Sequence, residues 1–347
     1  MPVQMAVNAR YKHRRVTGVE RYAEEITIRL FPPTREIKPA FKLPPLLGHL
    51  WEQVVLPMRL HAHEVLWSPA NAAPWILRRQ AVTLHDASVF DHPEWFQSTF
   101  GAWTRLSWKV LSRRAKAIIT VSDFSRKRLQ HHLEIPDEKM HVIPNGVGLP
   151  FEPKSTKSIE EVRTKFNLTK PYFLFVGTHE PRKNLAALAK AWKISGLAED
   201  YILAVAGTEG KVFAPVGQTP ALALGASVGN LTYNLGYVSD HDLPALYSGA
   251  TAVVFPSLYE GFGLGALEAM ACGAPVIASN TTSFPEVVGD AGMMVPTDNP
   301  NDIAEAMRQI SEDRAMAEIF REHGLKRATQ FRWDEAARRI QKLLESL

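Results

Sequence analysis

Short apolar runs alternate with amphipathic helical stretches along almost the whole chain, and this alternation restricts the fold more than any other feature of the sequence. Runs this brief are the signature of buried parallel strands, and the stretches between them supply the crossovers such strands require. In the first half, Val3–Val7, Val65–Trp67, Ala81–Leu84, Ala117–Val121 and His141–Ile143 are expected as strands. Val19–Leu30, Ser98–Ser112 and Ser122–His132 are expected as helices, the last capped by Ser122 or Asp123. The segment from Gly148 to about Thr169 breaks the pattern with Pro150, Pro153 and a polar run, Lys154–Ser158, and reads as a linker. A second series follows, with strands at Tyr172–Val176, Tyr201–Ala206, Leu231–Leu235, Ala252–Phe255 and Pro275–Ala278. Its helices are expected at Leu185–Ser195, Asp242–Ser248, Gly265–Ala271, Pro300–Glu312 and Trp333–Leu347. The expectation is therefore two consecutive α/β domains, 1–150 and 151–332, with ligands held in the cleft at the carboxyl ends of the strands.

At 347 residues each half can bury a core of its own, so neither disulfides nor a structural metal are required. The single cysteine, Cys272, sits between Ala271 and Gly273 in an apolar segment. It reads as a small core residue, and its solitude excludes a disulfide framework or a cysteine-rich metal site. No apolar run is long enough to span a bilayer, and Met1–Glu20 lacks a signal-peptide core, so a cytoplasmic address is expected. Charge is uneven. Residues 1–150 carry 21 Lys and Arg against 13 Asp and Glu, whereas the chain as a whole is only +4. The densest cationic clusters are Arg113, Arg114 and Lys116, then Arg126, Lys127 and Arg128. They are too short and too poor in interleaved aromatics for nucleic acid; a solvated surface is the ordinary explanation, and an anionic membrane or acceptor the functional one.

The most informative stretch is Phe255-Pro-Ser-Leu-Tyr-Glu-Gly-Phe-Gly-Leu-Gly-Ala-Leu-Glu-Ala-Met-Ala-Cys-Gly273. A strand ends near Phe255, a loop carries Glu260, alternating glycines Gly261, Gly263 and Gly265 follow, and a helix starts near Leu264. Glycines there let a ligand approach the backbone, and the free N–H groups of a helix start attract anions. Glu260 precedes the helix, whereas Glu268 lies on its first turns, where a carboxylate can accept two hydrogen bonds from a vicinal diol such as a ribose. A plain strand-to-helix turn with acids favouring the helix N-terminus explains the same residues. The run Gly261-x-Gly263-x-x-Ala266, with Glu286 about twenty residues on, also matches the loose dinucleotide fingerprint. That fingerprint belongs to the first strand of a domain, and this turn follows the fourth. Asp240-His241-Asp242 spells Asp-x-Asp, a tag by which some enzymes bind a metal, yet here it opens a helix, where Asp is a natural cap.

Taken together, these residues resemble the retaining glycosyltransferases of family 4. The resemblance rests on Glu260 and Glu268 separated by seven residues within a glycine loop that ends Glu-Ala-Met-Ala-Cys-Gly, and on Pro275-Val-Ile-Ala-Ser and Pro285-Glu-Val-Val-Gly-Asp-Ala-Gly292 beyond it. Gly177-Thr-His-Glu-Pro-Arg-Lys-Asn184, Ala206-Gly207, Leu235-Gly-Tyr-Val238 and Asp242-Leu-Pro-Ala-Leu-Tyr247 add to it. In the first half it is sparser: Thr17-Gly-Val-Glu-Arg-Tyr22, His85-Asp86, Val121-Ser-Asp-Phe-Ser125 and Ile143-Pro-Asn-Gly146.

The resemblance implies a GT-B fold, two Rossmann-like α/β domains facing each other across a cleft, with the last helix packing back on the first domain. It implies transfer of a hexose, mannose from a GDP-sugar being the closest in feel, with retention of configuration, to a glycan or lipid-linked acceptor, without a metal or other cofactor. Position by position, Glu260 would contact the donor sugar and Glu268 the donor ribose, while Arg182 and Lys183 would neutralise the leaving diphosphate. Gly18, Gly177, Tyr237, Val238, Gly261, Phe262, Gly263 and Leu264 would line the donor site. His85 would meet the donor sugar from the other domain, with Asp86, Ser122 and Asn145 on the acceptor side. Two departures bear on loop rigidity and acceptor fit: Gly265 stands where the family commonly has Pro, and Thr17 where a second glycine is common. A UDP-N-acetylhexosamine epimerase, a non-catalytic nucleotide-sugar-binding protein and a nicotinamide-dependent enzyme are the competing expectations.

Overall fold

The computed structural model describes residues 4–14, 16–208 and 232–347. The expected strand starts at Val3 and Leu231 lie outside the described residues. The chain divides into two compact units, one of residues 1–93, 98–146 and 332–347 and the other of residues 94–97 and 147–331.

The first unit is built on β1 (Gln4–Asn8), β2 (Arg35–Ile37), β3 (Glu64–Ser68), β4 (Gln80–Thr83), β5 (Ala117–Thr120) and β6 (Met140–Val142). They form one parallel sheet in the order β2-β1-β3-β4-β5-β6. Its central strands are buried along their whole length, as strands covered on both faces must be. The Gly18–Thr27 helix lays Tyr22, Ala23 and Ile26 into the core. The Trp333–Glu345 helix shares that unit: the Tyr22 and Trp333 rings lie 6.3 Å apart, Arg29 reaches Asp334 at 2.9 Å, and Gln341 Nε2 donates to the Phe31 carbonyl at 2.6 Å. Ile340 and Leu344 are fully buried there.

The second unit holds β7 (Tyr172–Val176), β8 (Ile202–Ala206), β9 (Thr232–Gly236), β10 (Ala252–Phe255), β11 (Val276–Ser279) and β12 (Met293–Val295). These are again parallel, in the order β12-β11-β10-β7-β8-β9. Counted within the unit this is the doubly wound dinucleotide-binding order, and the strand sequence reverses between β7 and β10. Phe173, Phe175, Leu203 and Val254 on the sheet pack with Leu188 and Trp192 of the Leu185–Ser195 helix and with Ile303, Met307 and Ile310 of the Pro300–Glu312 helix.

The structure corrects the sequence reading in several places. The expected linker contains a helix, Thr156–Lys165, whose start is capped by Ser155 accepting from the Ser158 amide at 3.3 Å. The polar run is thus a capping signal, and the helix buries little beyond Val162. Strands β2 and β12, three residues each, and the Arg314–Ala328 helix did not stand out from the hydropathy pattern. Asp242 precedes the Leu243–Ser248 helix, but its side chain does not cap it. Its carboxylate takes Lys165 Nζ and Ser239 Oγ instead, both at 2.7 Å. No helix among the described residues is long and apolar enough to cross a membrane.

Candidate functional site

In a doubly wound sheet, ligands collect where the strand order reverses, because the loops leaving the two central strands diverge there and open a crevice. In the second unit those loops follow β7 and β10. The loop after β7 carries Gly177, Glu180, Arg182 and Lys183; the loop after β10 carries Ser257 and Glu260. The topology brings the two expected halves of the donor site together, although they are some eighty residues apart in sequence.

Glu260 is the hub. One carboxylate oxygen lies 2.5 Å from Lys183 Nζ and accepts from Ser257 Oγ at 2.9 Å, and the other lies 3.1 Å from Arg182 Nη1. Arg182 Nε lies 2.6 Å from Glu180, itself buried. Backbone bonds hold the frame: the Leu258 amide donates to the Arg182 carbonyl at 2.8 Å, and Ser283 Oγ to the Glu260 carbonyl at 3.0 Å. Burial pushes the Glu260 carboxyl upward, but the charges of Lys183 and Arg182, helped by the Lys183 and Ser257 hydrogen bonds, bring it below the usual range. The carboxylate is thus ionised, and it fixes two cations side by side. Glu180 and Ser257 are the functional neighbours that sequence reasoning missed; the adjacency of Glu180 to Pro181-Arg182-Lys183 was the available signal.

The glycine loop behaves as its composition demands. Gly263 has φ of +96°, and a Cβ there would stand 2.8 Å from the Phe284 ring. Only glycine satisfies both constraints. At Gly265, the family's proline position, an added Cβ would stand 3.0 Å from the Phe255 ring. Gly261 and Phe262 are buried, Phe262 edge-on to Phe331 at 5.8 Å. The helix Leu264–Ala271 then carries Glu268, 5% exposed, on its second turn. Gly177 lies beside the Lys183 stem, at 3.6 Å from an added Cβ to the lysine carbons. Val238 is buried and Tyr237 is exposed, on the loop after β9. Burial pushes the Cys272 thiol up, which suits a core residue and not a nucleophile.

The first unit carries the remaining expected residues on the segments that follow β1, β4, β5 and β6. Gly18 is exposed at the start of its helix, with Thr17 just before it hydrogen-bonded to Glu20. His85 follows β4 and is buried, its Nε2 donating to the Pro69 carbonyl at 2.8 Å and its ring edge-on to Tyr22 at 4.8 Å. Burial lowers its pKa, partly offset by the Pro69 bond and by Asp86 and Glu20, so the ring is neutral with the proton on Nε2. Asp86 accepts from the Ser88 amide at 2.8 Å and its hydroxyl at 2.5 Å, a local turn contact. Ser122 accepts from the Ser125 amide at 3.0 Å as a helix cap. Asn145 is 5% exposed, and its buried side-chain oxygen has no hydrogen-bond partner among the described residues. Of the second cationic cluster, Arg126 is held by Asp123 and Arg128 by Asp91.

His49 shares the behaviour of His85: burial, with Arg10 and Arg14 nearby, lowers it to about 4. Both rings are uncharged in the fold and take up protons on unfolding, where a histidine titrates at about 6.5. Stability is therefore whole above that value and falls as the pH drops below it. The melting temperature at pH 5.5 is expected to lie below that at pH 7.5, and His49→Gln should flatten the difference. An equal slope in that variant would show that this ring does not contribute.

These arrangements mark the second unit as a doubly wound α/β domain of the dinucleotide-binding topology with a preassembled pair of cations. Residues 156–327 match the family described as Glycosyl transferases group 1, and residues 10–149 match Glycosyltransferase Family 4. The O-antigen chain mannosyltransferase B of Escherichia coli is 37% identical over 280 residues, 80% of this chain and 73% of that protein. The chain belongs to glycosyltransferase family 4 and is a glycosyltransferase. Two further relatives are the serotype-specific mannosyltransferase WbdA of Escherichia coli, 34% identical over 65% of this chain, and the O-antigen chain mannosyltransferase RfbU of Salmonella typhimurium, 29% identical over 68%. The matches span 28% of WbdA and 62% of RfbU, less than two thirds of either relative's length. Among solved structures, Anabaena HepE in complex with UDP-glucose superposes with a TM-score of 0.80 at 18% identity, covering 99% of both chains. WaaG, a glycosyltransferase involved in lipopolysaccharide biosynthesis, gives 0.75 at 15% identity over 98% of this chain and 99% of its own. These likenesses establish the GT-B fold expected from the sequence.

Proposed function

We propose that this protein transfers mannose, or a closely related hexose, from a GDP-sugar to a hydroxyl of a growing polysaccharide precursor, with retention and without a metal. The observation that carries the reading is the Arg182–Lys183–Glu260 cluster at the reversal point of the second sheet. Departure of a nucleoside diphosphate concentrates negative charge on the leaving phosphate, and two fixed cations stabilise it as it forms. Glu260 keeps both cations in place before the donor arrives, so little reorganisation is needed at the moment of reaction. The mannosyltransferase names of the relatives support the sugar; Glu268, buried on its helix, suits the donor ribose. In the step proposed, the bond from the anomeric carbon to phosphate oxygen breaks with its electrons passing to phosphate. The acceptor oxygen bonds the same face, and its proton passes to the departing phosphate oxygen. A glycan acceptor carried on a lipid fits the O-antigen role of the relatives.

The test is a thermal-shift panel of GDP-, UDP-, dTDP- and ADP-sugars, with and without magnesium. A ligand at a hundred times its dissociation constant adds about 2.7 kcal/mol to stability. GDP-mannose is expected to raise the melting temperature most, equally with and without magnesium, and its product should retain the α configuration by NMR. A shift confined to UDP-sugars would overturn the donor; one that needs magnesium would overturn metal independence.

A further inference from the structure

The strongest feature that this reading leaves unused is the helical segment between β2 and β3. It runs from Pro45 through Leu50, continues as a π turn over Trp51–Val55, and ends at Met58. One face is core: Trp51 and Leu56 are buried with Ala6, Ile37 and Leu66, and Val55 packs against them. The opposite face is also apolar. Leu46 and Met58 are each 80% exposed, Leu50 58%, Leu47 50% and Val54 48%. A helix that is apolar all round belongs in a core, and a row of large aliphatic side chains left in water marks a contact surface.

The charges framing the row indicate what covers it. Between Phe41 and Arg59 the formally charged residues are Lys42, Glu52 and Arg59. Glu52 is buried and accepts from Asn8 at 2.7 Å, with Arg10 at 3.3 Å. The exposed face therefore presents a cation at each end, Lys42 and Arg59, and no carboxylate. His49, lying on this segment, is neutral for the reason given above. Trp103 lies 5.4 Å from the His49 ring and 5.0 Å from Trp75, so half-buried indoles border the row. The side-chain amide of Gln53 is spent on Ala73 and Trp75, which leaves little to hydrogen-bond a glycan. A second copy of the face would bring Lys42 and Arg59 against like charges with no acid to meet them.

We infer that the outward face of residues 45–58 is a docking surface that lies in the headgroup region of an anionic membrane. At about 21 Å long it is too short to span a bilayer and suits lying in the interface plane. Leu46, Leu47, Leu50, Val54 and Met58 enter the acyl boundary, Lys42 and Arg59 meet anionic headgroups, and the indoles sit at the level where Trp prefers to lie. This surface is independent of the donor chemistry and rests on the proposed function only in making a lipid-borne acceptor reachable.

The test is co-sedimentation of the full chain with vesicles of phosphatidylethanolamine and phosphatidylglycerol, and with vesicles of phosphatidylcholine alone. The wild type should partition onto the anionic vesicles preferentially. Leu46→Glu with Leu50→Glu should lower partitioning at least about tenfold, with an unchanged melting curve because both side chains already face water. Lys42→Glu with Arg59→Glu should lower it on anionic vesicles alone, by roughly fivefold per cation. Transfer to a water-soluble acceptor should be unaffected by either pair, so a failure of the transferase reading is separable from a failure of this one. Unchanged partitioning of the leucine variants would overturn the proposal. So would lipid-free dimerisation of the wild type, seen by sedimentation velocity, that the leucine variants abolish, or a raised KM for the soluble acceptor in those variants.

Discussion

Replacing Lys183 with alanine is expected to lower turnover by about a hundredfold while leaving the protein folded. The loss follows from the position of its ammonium, 2.5 Å from Glu260 at the point where the loops after β7 and β10 meet. One preorganised donor to developing negative charge is worth ~3 kcal/mol in the transition state. Folding should survive because Glu260 keeps Arg182 at 3.1 Å and Ser257 at 2.9 Å as partners. The measurement is steady-state transfer kinetics beside a thermal melt. If the variant turned over at the wild-type rate, the leaving diphosphate would have to be neutralised elsewhere.

Glu260→Ala should be the more destructive change to the fold. The carboxylate is 6% exposed and is shared by two cations, so its removal takes the carboxylate partner from Lys183 in a poorly solvated place and leaves Arg182 to Glu180. Breaking a buried pair in this way costs about 3–5 kcal/mol, read as a shifted denaturation midpoint. Glu260→Gln keeps the shape and the Ser257 contact, and should lose less stability but a comparable share of turnover. The pH dependence carries the same sign. The carboxyl titrates below its unfolded value near 4.3, so its contribution is whole above that pH and disappears as the pH falls through the lower folded value. If Glu260→Ala melted like the wild type, the cluster would be a surface arrangement and not a structural hub.

Much of this site was legible in the sequence because its signals are local. The glycine loop, Glu260 and the Arg182–Lys183 pair each announce themselves by spacing, and the strand alternation says which loops lie at the carboxyl ends. The contact between those loops depends on strand order, which hydropathy does not encode, so the link from Glu180 through Arg182 to Glu260 needed coordinates. His85 shows the opposite case. Its position after β4 was readable, yet the bond from its ring to the Pro69 carbonyl, which gives it a neutral and inward-held ring, was not. The 45–58 segment was missed because its hydropathy is high on both faces, so no amphipathic period stands out. A short strand such as β2 leaves no more than three residues of signal, and Ser155 in a polar run looks like a linker until the helix that it caps is seen.

The Trp333–Glu345 helix belongs to the unit that begins the chain, and this sets an order on biosynthesis. Residues 147–331 can complete their sheet from contiguous sequence as soon as they have been made. The first unit cannot finish in the same way. The face of the Gly18–Thr27 helix on which the Trp333–Glu345 helix packs, with Tyr22 against Trp333, stays uncovered until residues 333–345 have been made. A nascent chain arrested or clipped after Phe331 would thus leave intact the domain that it has just finished and expose the one made first, the half on which a quality-control protease or chaperone would act.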